Sequence, residues 1–407
     1  MMLSIHGHVD PIPNLGQVDT GGQVVYVIEM AKNLAKQGAE IDIYTRWFEG
    51  KKEIEEVCPG ARIIRIPCGP RCFLRKEELY PYLDEFAGNL ITFIRDENLD
   101  YDIIHSHYWD AGYIALRIKE KLNAVHIHTS HSLGAAKKAR IKISDAEKLY
   151  QFNVRLKVEK EILSKADVIV SASPIEPRII EEYYDMSRET HIVPPGVDAE
   201  FFSPKAKLKK IENLPEKYIF STGRIEYTKG FDLLIRAFKY VKQEVPDITL
   251  ILGGGSLRPT ELELRIRREL KELIEKLNLV GSVIQTGRIP NELLPIYYAN
   301  ARVVALPSRY DLFGIVALEA LACGTPVVVS KYAGVSVYIT EDIGYVCDPE
   351  NPKEFSSKII DLLTEEDKAK QMGLNGRRMI EEKFTWEKLA KKLLLIYTKA
   401  LREHINS

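Results

Sequence analysis

Short β-branched runs alternate with amphipathic helical stretches along almost the whole chain, and no other feature constrains the fold as much. The first runs are Leu3-Ser4-Ile5, Ile41-Asp42-Ile43-Tyr44, Ile63-Ile64-Arg65-Ile66, Ile103-Ile104-His105, Val125-His126-Ile127-His128, Val168-Ile169-Val170 and His191-Ile192-Val193. Between them lie helical patterns such as 22–37, where Val24, Val27, Ile28, Ala31, Leu34 and Ala35 form one stripe before Gly38 stops it. After Pro194-Pro195-Gly196 the pattern loosens, and the Lys-rich, apolar-poor stretch 203–216 reads as a linker or surface excursion. A second series follows: Tyr218-Ile219-Phe220, Thr249-Leu250-Ile251-Leu252, Val283-Ile284, Val303-Val304-Ala305-Leu306 and Val327-Val328-Val329. From 352 onward the pattern is helical to the end.

Strands and helices of these lengths in alternation call for parallel sheets with helices on both faces, an α/β architecture. Two series split near residue 200 predict two Rossmann-like domains, and 407 residues suit two domains. Ligands are expected beyond the carboxyl ends of the strands, in a central cleft that the two sheets face.

Charge narrows the function. Lys plus Arg is 57 and Asp plus Glu is 58, a formal net charge of −1. That excludes a polycationic surface as the main device for nucleic acid or anionic membrane, but leaves room for a small basic phosphate pocket. The five cysteines, at 58, 68, 72, 323 and 347, are odd in number and form no CxxC. A disulfide framework or zinc knuckle is therefore not expected, and a reducing compartment is. The N-terminus has no basic start, no long apolar core follows, and no run is long enough to span a bilayer, so the expected place is cytoplasmic. Glutamine occurs only seven times against abundant Glu, Lys and Ile, a bias that resembles a thermophile's. A melting midpoint in the ordinary mesophilic range would sink that reading.

Seven of the nine histidines fall in the first 131 residues, six of them as His-x-His pairs: His6/His8, His105/His107 and His126/His128. Period two puts both members of a pair on one side of an extended chain. Three readings stand: a metal site, hydrogen-bonded structural histidines, or the rim of an active site at the strand ends. Asp19-Thr20-Gly21-Gly22-Gln23 lies between the first strand and the first long helix. Its glycines suit a close backbone approach to a phosphate or sugar hydroxyl, or a simple helix-starting turn. Gly223-Arg224-Ile225-Glu226-Tyr227-Thr228-Lys229-Gly230 follows the first strand of the second series. A diphosphate fits between its two cations and the helix that comes next; the alternative is a solvated loop. Asp311 and Glu319 are eight apart around an apolar run, and an acid inside an apolar helix is rarely there for packing.

These features, together with Ile66-Pro67-Cys68-Gly69-Pro70-Arg71, His105-Ser106-His107-Tyr108-Trp109-Asp110-Ala111-Gly112, His131-Ser132-Leu133-Gly134 and Pro194-Pro195-Gly196-Val197-Asp198, resemble glycosyltransferase family 4. These are retaining nucleotide-sugar enzymes of the GT-B fold, and the resemblance is most specific for the branch holding sucrose synthase, sucrose-phosphate synthase and mannosylfructose-phosphate synthase. It covers essentially the whole chain. It implies an acceptor-binding domain at 1–200, a nucleotide-sugar-binding domain at 201–384, and a terminal helix at 385–407 that returns to the first domain.

The resemblance also implies roles. Arg224 and Lys229 match the cations that grip the donor diphosphate, where negative charge builds as the sugar–phosphate bond breaks. Glu319 matches the acid that holds the ribose. Asp311 matches the acid that contacts the transferred sugar, beside the backbone of Phe313, Gly314 and Ile315. His131 matches the histidine against that sugar, and Gly21 and Gly22 match the loop near the phosphates and acceptor. His6 and Gln23 match acceptor contacts. Lys137 and Arg155 match the cations that hold the 6-phosphate of fructose 6-phosphate, although Lys137 also belongs to the basic stretch Lys137-Lys138-Ala139-Arg140, which could simply face water. No metal and no cofactor are expected.

Two departures touch donor choice. Asp311 stands where the family usually has Glu, and Leu312 where relatives often carry Pro. The loop Ala333-Gly334-Val335 also lacks a second glycine. UDP-glucose, GDP-mannose and ADP-glucose all stay open as donors. So do free fructose, a glycerate phosphate or a lipid-linked sugar as acceptors. A non-catalytic nucleotide-sugar sensor and a dinucleotide oxidoreductase fit less well, the second because no GxGxxG follows the first strand.

Overall fold

The computed structural model describes residues 1–13, 17–141, 143–209 and 211–406. The chain forms two compact units. One runs Met1–Pro194 and takes in the C-terminal segment from Trp386; the other is Pro195–Thr385. These divisions stand against the expected ones after 200 and 384.

The first unit holds β1 (Met2–Leu3), β2 (Ile41–Trp47), β3 (Ile54–Cys58), β4 (Ala61–Pro67), β5 (Ile103–His107), β6 (Val125–Thr129), β7 (Val168–Ser171) and β8 (Thr190–Ile192). They form one sheet in the order β3-β4-β2-β1-β5-β6-β7-β8. Every pairing is parallel except β3 with β4, which is antiparallel. Central strands such as β6 are buried along their whole length, which is why they read as near-continuous apolar runs interrupted only by histidines. Strand β3 had no such signal. It is a charged edge, with Glu55 and Glu56 in its middle and Ile54 exposed.

The second unit holds β9 (Tyr218–Thr222), β10 (Thr249–Gly253), β11 (Val283–Gly287), β12 (Val303–Leu306), β13 (Val327–Ser330) and β14 (Gly344–Cys347), all parallel in the order β11-β10-β9-β12-β13-β14. Its core joins Ile219, Leu250 and Val328 from the sheet to Phe231, Leu234, Phe238 and Val241 of the helix Phe231–Glu244. Those helix positions recur at helical spacing, so one stripe supplies the burial that holds the helix to the sheet. In both units the chain leaves β1, β5, β6, β9 and β12 at their carboxyl ends straight into the loops that carry the candidate residues.

The helix Trp386–Ile405 belongs to the first unit. Trp386 packs edge-on to Tyr26 of the helix Gly22–Ala35, and Tyr397 reaches His105 of β5. Among the described residues, no helix is long and apolar enough to cross a membrane.

Candidate active site

In the first unit, the segment after β1 is held by a backbone crossing. Gly7 sits at φ 83°, and a Cβ there would lie 2.5 Å from the Asp19 carbonyl oxygen, so only glycine fits. Thr20 Oγ1 accepts the His8 N–H at 3.0 Å, and the Asp19 carboxylate accepts from the Lys76 amide at 2.9 Å and from Lys76 Nζ. Burial pushes the Asp19 carboxyl up, but the charges of Lys76 and His6 and the two hydrogen bonds from Lys76 together outweigh it, and the net effect is well below the usual carboxylate range. Gly21 and Gly22 then open the 14-residue helix Gly22–Ala35, which has no side-chain cap and no acid in its first turn. Its N-terminal amides and the positive end of its dipole suit an anion. Gln23 Nε2 reaches Ser4 Oγ and the His107 carbonyl, each at 3.3 Å.

The histidines are engaged with named partners. Buried His6 pairs through Nδ1 with Asp110 at 2.7 Å and lies edge-on to Tyr108. His8 stacks on Phe73 and meets the edge of Phe48. His105 bonds Tyr397 at 2.5 Å and Thr129 at 2.8 Å, while Ser106 Oγ lies 2.8 Å from both His126 Nε2 and His128 Nδ1. Strand β5 runs through His107, so His105 and His107 share a face as period two requires, their rings 4.1 Å apart. His107 Nδ1 in turn lies 2.9 Å from His131 Nε2. Burial is the main cause that lowers the pKa of His105, His107, His128, His126 and His131, the last two to about 3, so these rings are neutral near pH 7. Among the described residues, no group of three or more His, Cys, Asp or Glu side chains is placed to hold a metal ion.

Lys137 does not face water. It is buried on the helix Gly134–Arg140, its ammonium 4.0 Å from the centre of the Tyr150 ring. Arg155 is buried too, on the helix Phe152–Lys165. Its Nε bonds Glu159 at 2.7 Å and its Nη2 bonds the Ser132 carbonyl and hydroxyl at 2.8 and 3.2 Å. Glu159 also accepts the Gly134 amide and the Tyr184 hydroxyl. The guanidinium thus braces the turn that carries His131 and Ser132. Asp110 stood in a motif of the resemblance without a role, and Glu159 and Lys76 were not singled out from the sequence. The four-residue helical spacing of Arg155 and Glu159 was the available signal for one of them.

In the second unit, β9 ends at Thr222 and the chain passes through Gly223 and Arg224 into a short turn ending at Lys229. Gly230 follows at φ 67°, where a Cβ would lie 2.1 Å from the Pro307 carbonyl oxygen. That close approach sets the start of the helix Phe231–Glu244 against the end of β12. Lys229 Nζ pairs with Asp311 at 2.6 Å, both mostly buried, and Arg224 pairs with Glu226 at 2.6 Å with its side chain 48% exposed. Asp311 is held in turn: its other oxygen accepts the Phe313 amide at 3.3 Å, and its carbonyl accepts the Gly334 amide at 2.9 Å. Gly314 precedes the helix Ile315–Ala322, and Glu319 lies on its buried face. Burial pushes the Glu319 carboxyl up, the 2.6 Å bond from the Tyr298 hydroxyl takes part of that back, and the net value is about 7. Arg224, Lys229, Asp311, Phe313, Gly314, Ile315 and Glu319 all belong to this unit; Gly21, Gly22, His6, Gln23, His131, Lys137 and Arg155 belong to the first.

A cation pair set by two carboxylates at a helix start can hold a diphosphate, and buried cations behind a histidine turn can hold a second anion. Comparison with known proteins bears on this. Residues 20–201 match the family description "Glycosyltransferase Family 4", and residues 203–379 match "Glycosyl transferases group 1". The chain is 34% identical over 408 residues to a mannosylfructose-phosphate synthase of Agrobacterium fabrum, covering 97% of this chain and 90% of that protein. It is 32% identical to a D-inositol 3-phosphate glycosyltransferase of Corynebacterium diphtheriae, covering 97% and 93%. Among solved structures, the sucrose-phosphate synthase of Thermosynechococcus elongatus matches with a TM-score of 0.87 at 30% identity, over 99% of each chain.

Proposed function

The chain belongs to glycosyltransferase family 4, as an NDP-sugar-dependent hexosyltransferase of GT-B fold, and from that premise we propose that it moves a hexose to fructose 6-phosphate with retention at the anomeric carbon. The product is sucrose 6-phosphate or its mannosyl analogue, according to whether the donor is UDP-glucose, ADP-glucose or GDP-mannose.

In this reading Arg224 and Lys229 bind the diphosphate of the donor, and Glu319 takes the ribose hydroxyls. The bond from the anomeric carbon to the leaving phosphate oxygen breaks with its electron pair on the phosphate. The two cations offset that charge, which counts for more in a site shielded from water. The acceptor hydroxyl attacks the same face, and its proton passes to the leaving phosphate. Asp311 and His131 orient the transferred sugar, and Gly21 and Gly22 approach the phosphates. His6 and Gln23 take the acceptor's hydroxyls, Lys137 and Arg155 its phosphate.

The observation that carries the acceptor assignment is the burial of Lys137. A lysine this enclosed, six residues after His131, has a stated use if a phosphate dianion sits against it. The similarity to D-inositol 3-phosphate glycosyltransferases gives a second reading, a phosphorylated cyclitol acceptor, which uses the same cations. Replacing Lys137 with Ala is expected to raise the KM for fructose 6-phosphate at least tenfold more than the KM for the donor. Equal effects on both would argue against a phosphate site at Lys137.

A further inference from the structure

His107 Nδ1 and His131 Nε2 lie 2.9 Å apart, and both rings are neutral near pH 7. A neutral imidazole carries one N–H, so a single proton serves this contact. It sits either on His107, which then donates to His131, or on His131, which then donates to His107.

The far nitrogen of His107 decides between them. His107 Nε2 is buried and has no hydrogen-bond partner among the described residues. If His131 donated, His107 would have to carry its own proton on Nε2, burying an N–H with nothing to accept it. If His107 donates, Nε2 holds only a lone pair. An orphaned buried donor is the rarer and costlier of the two. The surroundings fix the His107 ring without reaching Nε2. The His105 ring lies tilted against it, itself tied to Tyr397 and Thr129, and Gln23 bonds the His107 carbonyl. His131 sits on a backbone at φ 53°, a region that non-glycine residues seldom occupy, so the direction of its ring is set by this turn.

We propose that His107 is a positioning residue: its Nδ1–H fixes His131 as the Nδ1–H tautomer, so that the half-buried His131 ring offers a hydrogen-bond donor, not an acceptor, on its other nitrogen. A donor there suits a hydroxyl oxygen of the transferred sugar. This deepens the reading above and rests on its assignment of His131 to that sugar. The tautomer of a histidine is set by the bond its other nitrogen makes, and here the partner is a second histidine whose own choice is forced by burial.

The test has two arms. In the whole wild-type protein carrying ¹⁵N-labelled histidine, long-range ¹H–¹⁵N correlation of the ring signals reads the tautomer directly, with His131→Gln used to assign its peaks. The expected pattern is Nδ1–H; an Nε2–H pattern overturns the proposal. In the second arm, donor turnover is compared for His107→Ala and His107→Asn, since the Asn amide places a donor where Nδ1 stands. The expected result is a fall in kcat of about tenfold or more in His107→Ala, with donor KM unchanged and kcat restored to within about threefold by His107→Asn. Equal loss in both variants, or none in His107→Ala, overturns it. The first arm needs no substrate, and its readout is taken on the wild-type protein. If no acceptor is ever turned over but the Nδ1–H form is found, the assigned reaction fails and the tautomer assignment stands.

Discussion

Replacing Arg155 with Met tests how the acceptor side is built. The guanidinium is buried and its Nε lies 2.7 Å from Glu159, whose carboxylate is also buried. Removing it strips Glu159 of that counter-charge while leaving the Gly134 amide and the Tyr184 hydroxyl as neutral donors. Breaking a buried ion pair by removing one partner costs about 3–5 kcal/mol, and the two surviving donors place this case near the lower end, about 3 kcal/mol. For a unit of roughly 200 residues each kcal/mol moves the midpoint by about 2–4 °C, so its transition is expected to fall by about 6–12 °C. Calorimetry on the full chain reads it. Arg155→Met with Glu159→Gln should recover part of that loss, because the amide removes the unpaired charge while its oxygen still accepts from the Gly134 amide and the Tyr184 hydroxyl. The double variant should then still need far more fructose 6-phosphate than wild type. A midpoint within about 2 °C in Arg155→Met alone would refute the claim that this arginine braces the His131 turn.

Three further outcomes are expected. Lys229→Ala should lower kcat by about 10²–10³-fold, because a fixed cation at the leaving group acts mainly in the transition state; near-normal turnover in a steady-state assay would remove the diphosphate role. Glu319 has a folded pKa raised from 4.5 to about 7, so the folded state binds the extra proton between those values and stability is lost as pH rises through that window, by about 3 kcal/mol in all. Glu319→Gln should therefore be more stable than wild type at pH 8 and no more stable at pH 4.5, while its donor KM rises; urea melts showing the same difference at both pH values would contradict this. A strong chelator should leave transferase activity standing, since the His105/His107 and His126/His128 rings are taken up by Tyr397, Thr129, Ser106 and His131. Loss of activity that zinc restores would make those rings ligands.

The alternation of strands and helices was legible because buried parallel strands must be continuous apolar runs. Val327-Val328-Val329 and Val303–Leu306 show it plainly. Strand β3 was not legible, because a charged edge strand pairs through its backbone and its side chains carry no pattern. The candidate residues were legible by type, since a cation or acid at a strand's carboxyl end has few uses in packing. Their partners were not. Tyr397 stands 292 residues from His105, and Lys76 stands 57 from Asp19; only the fold brings them together. The burial of Lys137 depends on the Tyr150 ring, which no local spacing announces.

The most direct measurement is a matrix of UDP-glucose, ADP-glucose and GDP-mannose against fructose 6-phosphate, free fructose and inositol 3-phosphate, scored by released nucleoside diphosphate and by product mass. Transfer to fructose 6-phosphate predicts release and a disaccharide phosphate with that acceptor and one of the donors, and no turnover of free fructose. Turnover of free fructose alone, or of inositol phosphate alone, would contradict it.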